Sequence, residues 1–218
     1  MLATAAIVFG AFGSFGQTDF KRLVAYSSVN HMGFVVLGIA AAGLAAGTAD
    51  AHIAMNGAVL QMFNHGITAA GMFFLVGVVY ERTHTRNLDE LGGLFPLVPV
   101  YGGILVFMSM ASLGLPGLNG FVSEFLVVRG AYPVLTIYTV VAMLGLLFTG
   151  AYILKGIMKV LHGPMNEHWA AARGEHKLTE INMREIFVIA PLMILSLVIG
   201  IWPAWILEVI NKAVVALF

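Results

Sequence analysis

The stretch LGLPGLNGFVSEF, residues 113–125, interrupts an apolar run that could otherwise cross a membrane without a break. The run covers residues 97–128, and Glu124 is its only acidic, basic or histidine residue. As one straight helix, these 32 residues would measure about 48 Å, which exceeds the hydrocarbon core of a bilayer by half. Pro116 removes a backbone donor and crowds the preceding turn, while the nearby glycines permit a bend. We therefore predict two half-helices separated by irregular backbone near residues 114–119.

The composition is that of a membrane protein. The chain is 60% hydrophobic and only 10% charged, whereas soluble domains have about 25% charged residues. Long apolar runs with short polar interruptions indicate several transmembrane helices, and the short alternating segments of a β-barrel are missing. The net charge is zero and the chain has no cysteine. These facts argue against a nucleic-acid partner and exclude disulfides and thiolate-held iron–sulfur clusters in this chain.

Six apolar segments predict an all-α polytopic bundle that forms a single transmembrane domain over residues 1–218. The predicted spans are approximately 2–17, 23–46, 53–80, 97–128 (broken), 133–159 and 185–211. The first is short for a span of about 20 residues. The most polar stretch, residues 162–185, is predicted to be an amphipathic loop between the last two spans.

The basic residues are distributed unevenly between the two sides of this topology. One side receives nine of them: Lys21, Arg22, Arg82, Arg86, Lys155, Lys159, Arg173, Lys177 and Arg184. The other side receives only Arg129 and Lys212. Cytoplasmic loops are rich in Lys and Arg, so the nine-residue side should face the cytoplasm or matrix and the C-terminus should face away from it. No basic leader precedes Lys21, so a cleavable signal peptide is not expected.

Glu124 is the only carboxylate well inside a predicted span. A charged group at that depth is expensive, so it is expected to be neutral or paired. Broken helices are a known device for handling ions near the membrane midplane. The alternative is a carboxylate that reaches the outer interface near Arg129, five residues further on.

Polar side chains form stripes on two other predicted helices. Residues at i, i+3, i+4 and i+7 lie on one helical face, and this spacing holds for Gln61, Asn64, His65 and Thr68. A second stripe has similar spacing and contains Ser27, Asn30 and His31. Either histidine alone could simply form hydrogen bonds between helices. Two such stripes beside a broken helix that carries Glu124 instead favour a hydrated proton path, since imidazole and carboxyl groups both exchange protons.

Other polar residues have simpler interpretations. Lys155 is interpreted as a cation that reaches the interface from the end of its helix. Glu208 and Lys212 are also expected at an interface. The loop histidines at positions 84, 162, 168 and 176 do not have the spacing of a metal site. The 25 glycines suit close helix packing and form no phosphate-binding motif.

Three segments resemble a known family: residues 17–39 (QTDFKRLVAYSSVNHMGFVVLGI), residues 57–94 and residues 112–127 (SLGLPGLNGFVSEFLV). They are similar to the antiporter-like proton-pumping subunits of respiratory complex I, of the type called chain M in bacteria and NADH dehydrogenase subunit 4 in mitochondria. The segment YERTHTR, residues 80–86, resembles this type more than its sister subunits or the Mrp-type antiporters. The resemblance extends over nearly the whole chain.

The resemblance implies a fourteen-helix protein with two inverted five-helix repeats, of which this chain is the C-terminal portion from the ninth helix onward. It implies that the break at LGLPGLNG is a family feature, and that Glu124, His31 and His65 are proton-relay residues. Lys21 matches a basic residue at the start of the family's tenth helix. The family's Glu–Lys pair and central relay lysine lie on helices upstream of this chain.

The function implied is proton translocation by a membrane-arm subunit of NADH:quinone oxidoreductase. No cofactor is expected in this chain, because flavin, iron–sulfur clusters and quinone would belong to other subunits. The expected partners are the other membrane-arm subunits and the lipid bilayer, in a bacterial cytoplasmic membrane rather than a mitochondrial one. Two alternatives remain: a subunit of an Mrp-type cation/proton antiporter or membrane-bound hydrogenase, and a truncated segment with only a structural role.

Overall fold

The protein consists of α-helices joined by loops in the part that its computed structural model describes, which is residues 1–166, 169 and 178–217. Within these residues the helices are α1 (Leu2–Phe15), α2 (Phe20–Leu44), α3 (Ala49–Thr83), α4 (Pro99–Leu113), α5 (Asn119–Ala131), α6 (Thr136–Leu161), α7 (Met183–Ile201) and α8 (Ala204–Val215). Four of them, α2, α3, α6 and α7, are long and apolar enough to span a membrane. The prediction of an all-α transmembrane bundle is therefore confirmed.

Short polar side chains start three of the helices. The Asp19 carboxylate accepts a hydrogen bond from the backbone of Arg22 at 2.9 Å, and Thr48 caps α3 in the same way. At α7, the Asn182 side chain and the Glu185 side chain each bond the other's backbone N–H. These caps satisfy donors that a helix start leaves open, so they place the helix ends where the loops begin.

The predicted break in the fourth span, between its two half-helices, is present. The helix α4 ends at Leu113, Gly114 adopts a left-handed conformation with φ +80°, and α5 begins at Asn119. The backbone N–H of Leu115 bonds back to the Met110 carbonyl at 3.1 Å, which closes the last turn of α4. Pro116 is exposed and lies in the break, not inside a helix. The left-handed turn needs a glycine because a side chain is disfavoured there.

The span predicted over residues 185–211 is not one continuous helix, because a second break divides it. Helix α7 ends at Ile201 and α8 begins at Ala204, with Pro203 between them. Proline cannot donate to the helix ladder, so the helix is interrupted there. Gly200 lies directly against the backbone of Gly117 and Leu118 in the first break. The last turn of α7 therefore packs against the first break at residues 117–118.

The long helix α3 occupies the centre of the bundle. Its 35 residues extend about 52 Å, and it contacts α2, α4, α5, α7 and α8. Helix α1 packs against α2 and α6. One apolar cluster fills the end of the bundle around Phe20, Leu75 and Tyr101, and another lies around Phe34 and Val127. Helix α3 carries the polar stripe and packs against α5, which carries Glu124.

The two ends of the bundle differ in charge as the sequence predicted, within the described residues. Gly130, beside Arg129, packs on Ala54 at the start of α3, and Asn211, beside Lys212, bonds Asn56 at 2.8 Å. Both of these basic residues therefore lie at the end where α3 begins. The opposite end carries seven of the other nine, namely Lys21, Arg22, Arg82, Arg86, Lys155, Lys159 and Arg184. Arg173 and Lys177 lie outside the described residues.

The loops at this basic end are tied together by hydrogen bonds. The Arg82 guanidinium bonds both carboxylate oxygens of Glu185 at 2.9 and 2.7 Å and the Thr179 carbonyl at 2.8 Å. The Glu180 carboxylate accepts from the N–H groups of Val100 and Tyr101 at the start of α4. Much of the predicted amphipathic loop, residues 167–168 and 170–177, lies outside the described residues.

A surface ion pair adds to this end. The Lys159 ammonium lies 2.7 Å from Asp89, and its hydrogen bond and charge lower the pKa of that carboxyl. Because both groups are exposed, the pair is screened by solvent and contributes little to stability.

The contact of Gly200 with the first break gives a test of the fold. Gly200→Ala should destabilise the protein, because the new Cβ would collide with the Gly117–Leu118 backbone, which cannot move aside as a flexible side chain could. Overpacking of this kind typically costs about 1–3 kcal/mol. The matched control is Gly103→Ala, also in a helix but with open space around it; alanine there should raise helix stability by up to about 1 kcal/mol.

The measurement is the thermal unfolding midpoint of the two variants in detergent. The close contact of Gly200 with residues 117–118 is supported if Gly200→Ala lowers the midpoint and Gly103→Ala does not. Equal midpoints for the two variants would contradict it.

Candidate functional site

Glu124 lies in the second turn of α5, just after the break, and is only 5% exposed. A Cβ built on Gly114 would lie 3.3 Å from its Oε2 atom. The carboxylate therefore faces the backbone of the break, and a glycine at position 114 leaves the space for it. A buried carboxylate of this kind needs partners. The alternative in which Glu124 reaches the interface near Arg129 does not agree with this burial.

The nearest partner of Glu124 is His31 of α2. The Nδ1 atom of His31 lies 2.8 Å from Oε1 of Glu124, and both side chains are almost fully buried. On the other side of the ring, Nε2 lies 3.1 Å from the Tyr152 hydroxyl and 3.3 Å from the Ser112 hydroxyl. Hydroxyls can donate to Nε2 while Nδ1–H donates to the carboxylate. The contacts therefore favour an imidazole protonated at Nδ1.

The polar stripe of α3 supplies the second set of contacts. The Gln61 amide donates to Oε1 of Glu124 at 3.1 Å, and its carbonyl accepts from the Ser123 hydroxyl. The Asn64 amide donates to the Asn119 carbonyl at 2.7 Å and to Ser123 at 2.9 Å. These bonds join α3 to the first turns of α5. They fix the orientation of the half-helix that carries Glu124.

His65 lies one step further from the carboxylate. Its ring centroid is 5.4 Å from that of His31, and its side chain is half-buried. Thr68, the last residue of the stripe, is buried and bonds the Asn64 carbonyl of its own helix at 3.2 Å. The structure thus brings Gln61, Asn64 and both membrane histidines together, whereas Thr68 is directed to its own backbone.

Two residues of the α2 stripe have other partners. The Asn30 amide donates to the Ile7 carbonyl of α1 at 2.7 Å, and its carbonyl accepts from Thr149 of α6 at 3.0 Å. Ser27 donates to the Val24 carbonyl within its own helix. Asn30 therefore joins three helices and does not contact Glu124. Of this stripe, only His31 reaches the carboxylate.

Lys21 and Pro116 are both outside the cluster. Lys21 is exposed at the start of α2, ten residues before His31, which corresponds to about 15 Å along the helix. Pro116 lies exposed in the break, and it cannot donate to Glu124 because proline has neither a polar side chain nor a backbone N–H. These two residues support the site at most through the geometry of the helices.

Lys155 was expected to extend to the membrane interface, and in the structure it bonds the end of α1. Its ammonium donates to the Phe15 carbonyl at 2.6 Å and to the Gln17 carbonyl at 2.8 Å. These carbonyls end α1, where a cation is favoured by the helix dipole. The side chain therefore joins α6 to the end of α1 and is half-buried.

Sequence reasoning missed Tyr152, Ser112, Ser123 and Asn119. A tyrosine or serine in an apolar helix carries no spacing signal by itself, so only the fold could pair Tyr152 with His31 across 121 residues. Ser123 and Asn119 lie in the quoted stretch, and their spacing from Glu124 could have suggested them. The Oδ1 atoms of Asn64 and Asn119 are buried and have no partner among the described residues.

The arrangement shows no metal-binding geometry in the described ranges. Among residues 1–166, 169 and 178–217, no group of three His, Asp or Glu side chains could hold a metal ion. Of the loop histidines, His168 and His176 lie outside these ranges. The cluster contains one buried carboxylate, one buried and one half-buried imidazole, and several hydroxyl and amide groups, a set that can hold and pass a proton.

The chain is similar to a curated protein sequence and to a solved structure. It is 39% identical to the NADH-quinone oxidoreductase subunit M of Pseudomonas aeruginosa over 208 residues, covering 95% of this chain and 38% of the relative. It also matches the structure of respiratory complex I from Thermus thermophilus with bound NADH, at a TM-score of 0.82 and 27% identity, over 99% of this chain and 43% of the other. The chain spans about two fifths of the length of the curated relatives it matches.

A third similarity concerns the fold alone. The structure of the Mrp complex from Dietzia sp. DQ12-45-1b matches at a TM-score of 0.81 and 19% identity, over 97% of this chain and 45% of the other. Residues 1–149 match the transmembrane family described as NADH:quinone oxidoreductase/Mrp antiporter. These residues include Gly114 of the first break, Glu124 and both histidines of the site. The chain is an integral membrane protein that belongs to the NADH:quinone oxidoreductase/Mrp antiporter transmembrane family.

Proposed function

We propose that this chain is part of the proton-translocating, antiporter-like membrane subunit of an NADH:quinone oxidoreductase. Its partners would be the other membrane-arm subunits, in a bacterial cytoplasmic membrane. Electron transfer would take place in those other subunits, and we expect this chain to bind no flavin, iron–sulfur cluster or quinone. The names of its curated relatives support this assignment.

One observation carries the proposal: the buried contact of 2.8 Å between His31 and Glu124 beside the helix break. A carboxylate and an imidazole in hydrogen-bonding contact form a pair between which one proton can move. Their burial keeps both groups away from bulk water. A buried pair of this kind is a poor device for stability alone, which favours a functional reason for it.

The contacts define a transfer step. A proton that arrives at the unprotonated Nε2 of His31 produces an imidazolium. The imidazolium then releases the Nδ1 proton to Oε1 of Glu124, which becomes neutral, and the ring keeps its proton on Nε2. Before the next transfer, the ring must return to the form protonated at Nδ1. Gln61 donates to the same oxygen at 3.1 Å and would hold the carboxylate in position during both steps.

His65 provides the continuation of this path on the α3 side. Its ring lies 5.4 Å from that of His31 between centroids, a separation that one rotation or one water molecule could bridge. Because His65 is half-buried, we place it between the buried pair and a less enclosed region. In the whole protein that region would connect to the upstream helices, where the family resemblance expects the lysines.

The antiporter and structural alternatives receive less support. The similarity to an Mrp complex is 19% identity, whereas the relatives named as NADH-quinone oxidoreductase subunits reach 36–39%. A segment with only a structural role would not need a carboxylate buried against His31. We therefore retain proton translocation as the proposal.

The first test replaces the carboxyl. Glu124→Gln should reduce proton translocation and coupled quinone reduction by about tenfold or more, because the amide keeps the shape and cannot exchange a proton. Glu124→Asp should retain more of both, since the carboxyl remains. The matched control is Glu208→Gln, an exposed glutamate on α8, which should leave both rates unchanged.

The measurement is NADH-driven membrane energisation together with the quinone reductase rate, in membranes where the chain is assembled with its partner subunits. Assembly is checked by the amount of the intact complex. Wild-type rates for assembled Glu124→Gln would contradict the proposal.

The second test measures the contact itself by a double-mutant cycle on the free energy of unfolding. His31→Ala and Glu124→Ala should each destabilise the protein, because each leaves a buried partner unpaired. The double variant should lose less than the sum, with a coupling of about 0.5–3 kcal/mol. The control is the surface pair Arg86–Asp19 at 3.5 Å, whose coupling should stay below about 1 kcal/mol. Additive losses at His31 and Glu124 would show that the two side chains are not in contact.

A further inference from the structure

A pocket opens at the basic end of the bundle, beside the last two turns of α6. It lies between the loop at residues 88–92 and residues 155–166, and it has a volume of about 570 Å³. The loop is fixed to the end of α6, because the backbone N–H of Gly93 donates to the His162 carbonyl at 3.1 Å. Ligand sites in proteins usually have volumes of about 300–1,000 Å³. We call this space the α6 pocket.

The polar lining of the α6 pocket is mainly basic. Lys155, Lys159 and His162 line it with the i, i+4, i+7 spacing of one helical face. Among the lining residues, which all lie in the described ranges, Asp89 is the one carboxylate, and Lys159 contacts it at 2.7 Å. The hydrogen bond and charge of Lys159, and to a smaller extent the charge of Lys155, lower the pKa of that carboxyl. Two ammonium groups therefore act on the same space against one negative charge.

The two ammonium groups keep donors that no described residue uses. An ammonium has three N–H donors. Lys155 directs two of them to backbone carbonyls at the end of α1, and Lys159 directs one to Asp89. One donor of Lys155 and two of Lys159 therefore remain for a ligand. Several oxygens on one anionic group, as in a phosphate, can accept from both side chains at once.

An exposed apolar face of α6 continues from the pocket toward the membrane interior. Met158 lines the pocket, and Leu154, Leu147 and Leu144 follow at intervals of four, seven and three residues, which places all four on one helical face. Each of these side chains is exposed. From Met158 to Leu144 the face extends about 21 Å along the helix axis, which exceeds half of the hydrocarbon core of about 30 Å. The length therefore suits a fatty acyl chain of one leaflet.

We propose that the α6 pocket binds the phosphate group of an anionic phospholipid, whose acyl chain lies along the exposed apolar face of α6. Basic pockets at the cytoplasmic ends of transmembrane helices suit such headgroups. A phospholipid uses both the basic groups and the apolar face, whereas a soluble phosphate would use only the basic groups. The inference does not depend on proton translocation, because it needs only that α6 spans the membrane. The bound lipid would join the loop at residues 88–92 to the end of α6.

The first test labels the site in the assembled, detergent-solubilised complex. The probe is phosphatidylglycerol that carries a photoreactive diazirine in the middle of one acyl chain, and it is added in trace amounts. Mass spectrometry then identifies the labelled peptides of this chain. We expect labelling of α6 within residues 144–158. Unlabelled phosphatidylglycerol should compete at least about fivefold better than phosphatidylcholine, which has no net charge, and inorganic phosphate should compete weakly.

The second test separates charge from packing. Lys159→Gln and Asp89→Asn both break the same ion pair, so a loss of local structure would change the labelling of α6 in the same direction in both variants. Binding by charge predicts opposite changes: Lys159→Gln should lower the labelling per assembled complex by about fivefold, and Asp89→Asn should raise it. The matched control is Lys21→Gln, exposed at the same end and outside the lining, which should leave the labelling unchanged.

Three results would overturn the inference. The first is equal competition by phosphatidylglycerol and phosphatidylcholine, which would show that the pocket does not select an anionic headgroup. The second is competition by inorganic phosphate as strong as that by phosphatidylglycerol, which would indicate a site for a soluble anion. The third is a change of labelling in the same direction in Lys159→Gln and Asp89→Asn. Each would leave the proposed function as it stands, because none of these measurements involves translocation.

Discussion

The structure depends on one constraint: a carboxylate is buried inside a membrane bundle and must be compensated there. Glu124 is 5% exposed and is held by His31 at 2.8 Å and Gln61 at 3.1 Å. A straight helix would not leave the room beside Gly114 that the Glu124 carboxylate occupies. The break between α4 and α5 supplies that room, and Gly200 of α7 packs against the break at residues 117–118. The polar stripe of α3 then fixes the half-helix that carries the carboxylate.

The sequence predicted the helical bundle, the break near 114–119 and the three titratable residues of the site, because each has a local signal. Length and proline indicate a break, and four-residue spacing indicates a polar face. The partners of His31 could not be found this way, since Tyr152 and Ser112 reach it only through tertiary packing. For the same reason the partners of Asn30 could not be found from its spacing: its side chain bonds Ile7 and Thr149 and does not contact the carboxylate. The second break was missed because Pro203 lies near the end of its apolar run.

The site and the basic end are joined by the same helices. Helix α2 starts beside the loop at Arg86 and carries His31 in its interior, while α6 carries Tyr152 and ends its apolar run near Lys155 and Lys159. Helix α4 begins at the Glu180 cap and ends at the break. These helices therefore connect the loops at the basic end directly to the groups around Glu124.

The central claim is that His31 and Glu124 are in direct hydrogen-bonding contact inside the membrane. The most direct measurement is solid-state NMR of the membrane-embedded protein, with ¹⁵N in the histidine rings and ¹³C in the glutamate carboxyls. We expect a measurable dipolar coupling between one imidazole nitrogen and one carboxyl carbon, which disappears in His31→Gln and in Glu124→Gln. A spectrum in which no such coupling is present in the unmodified chain would contradict it.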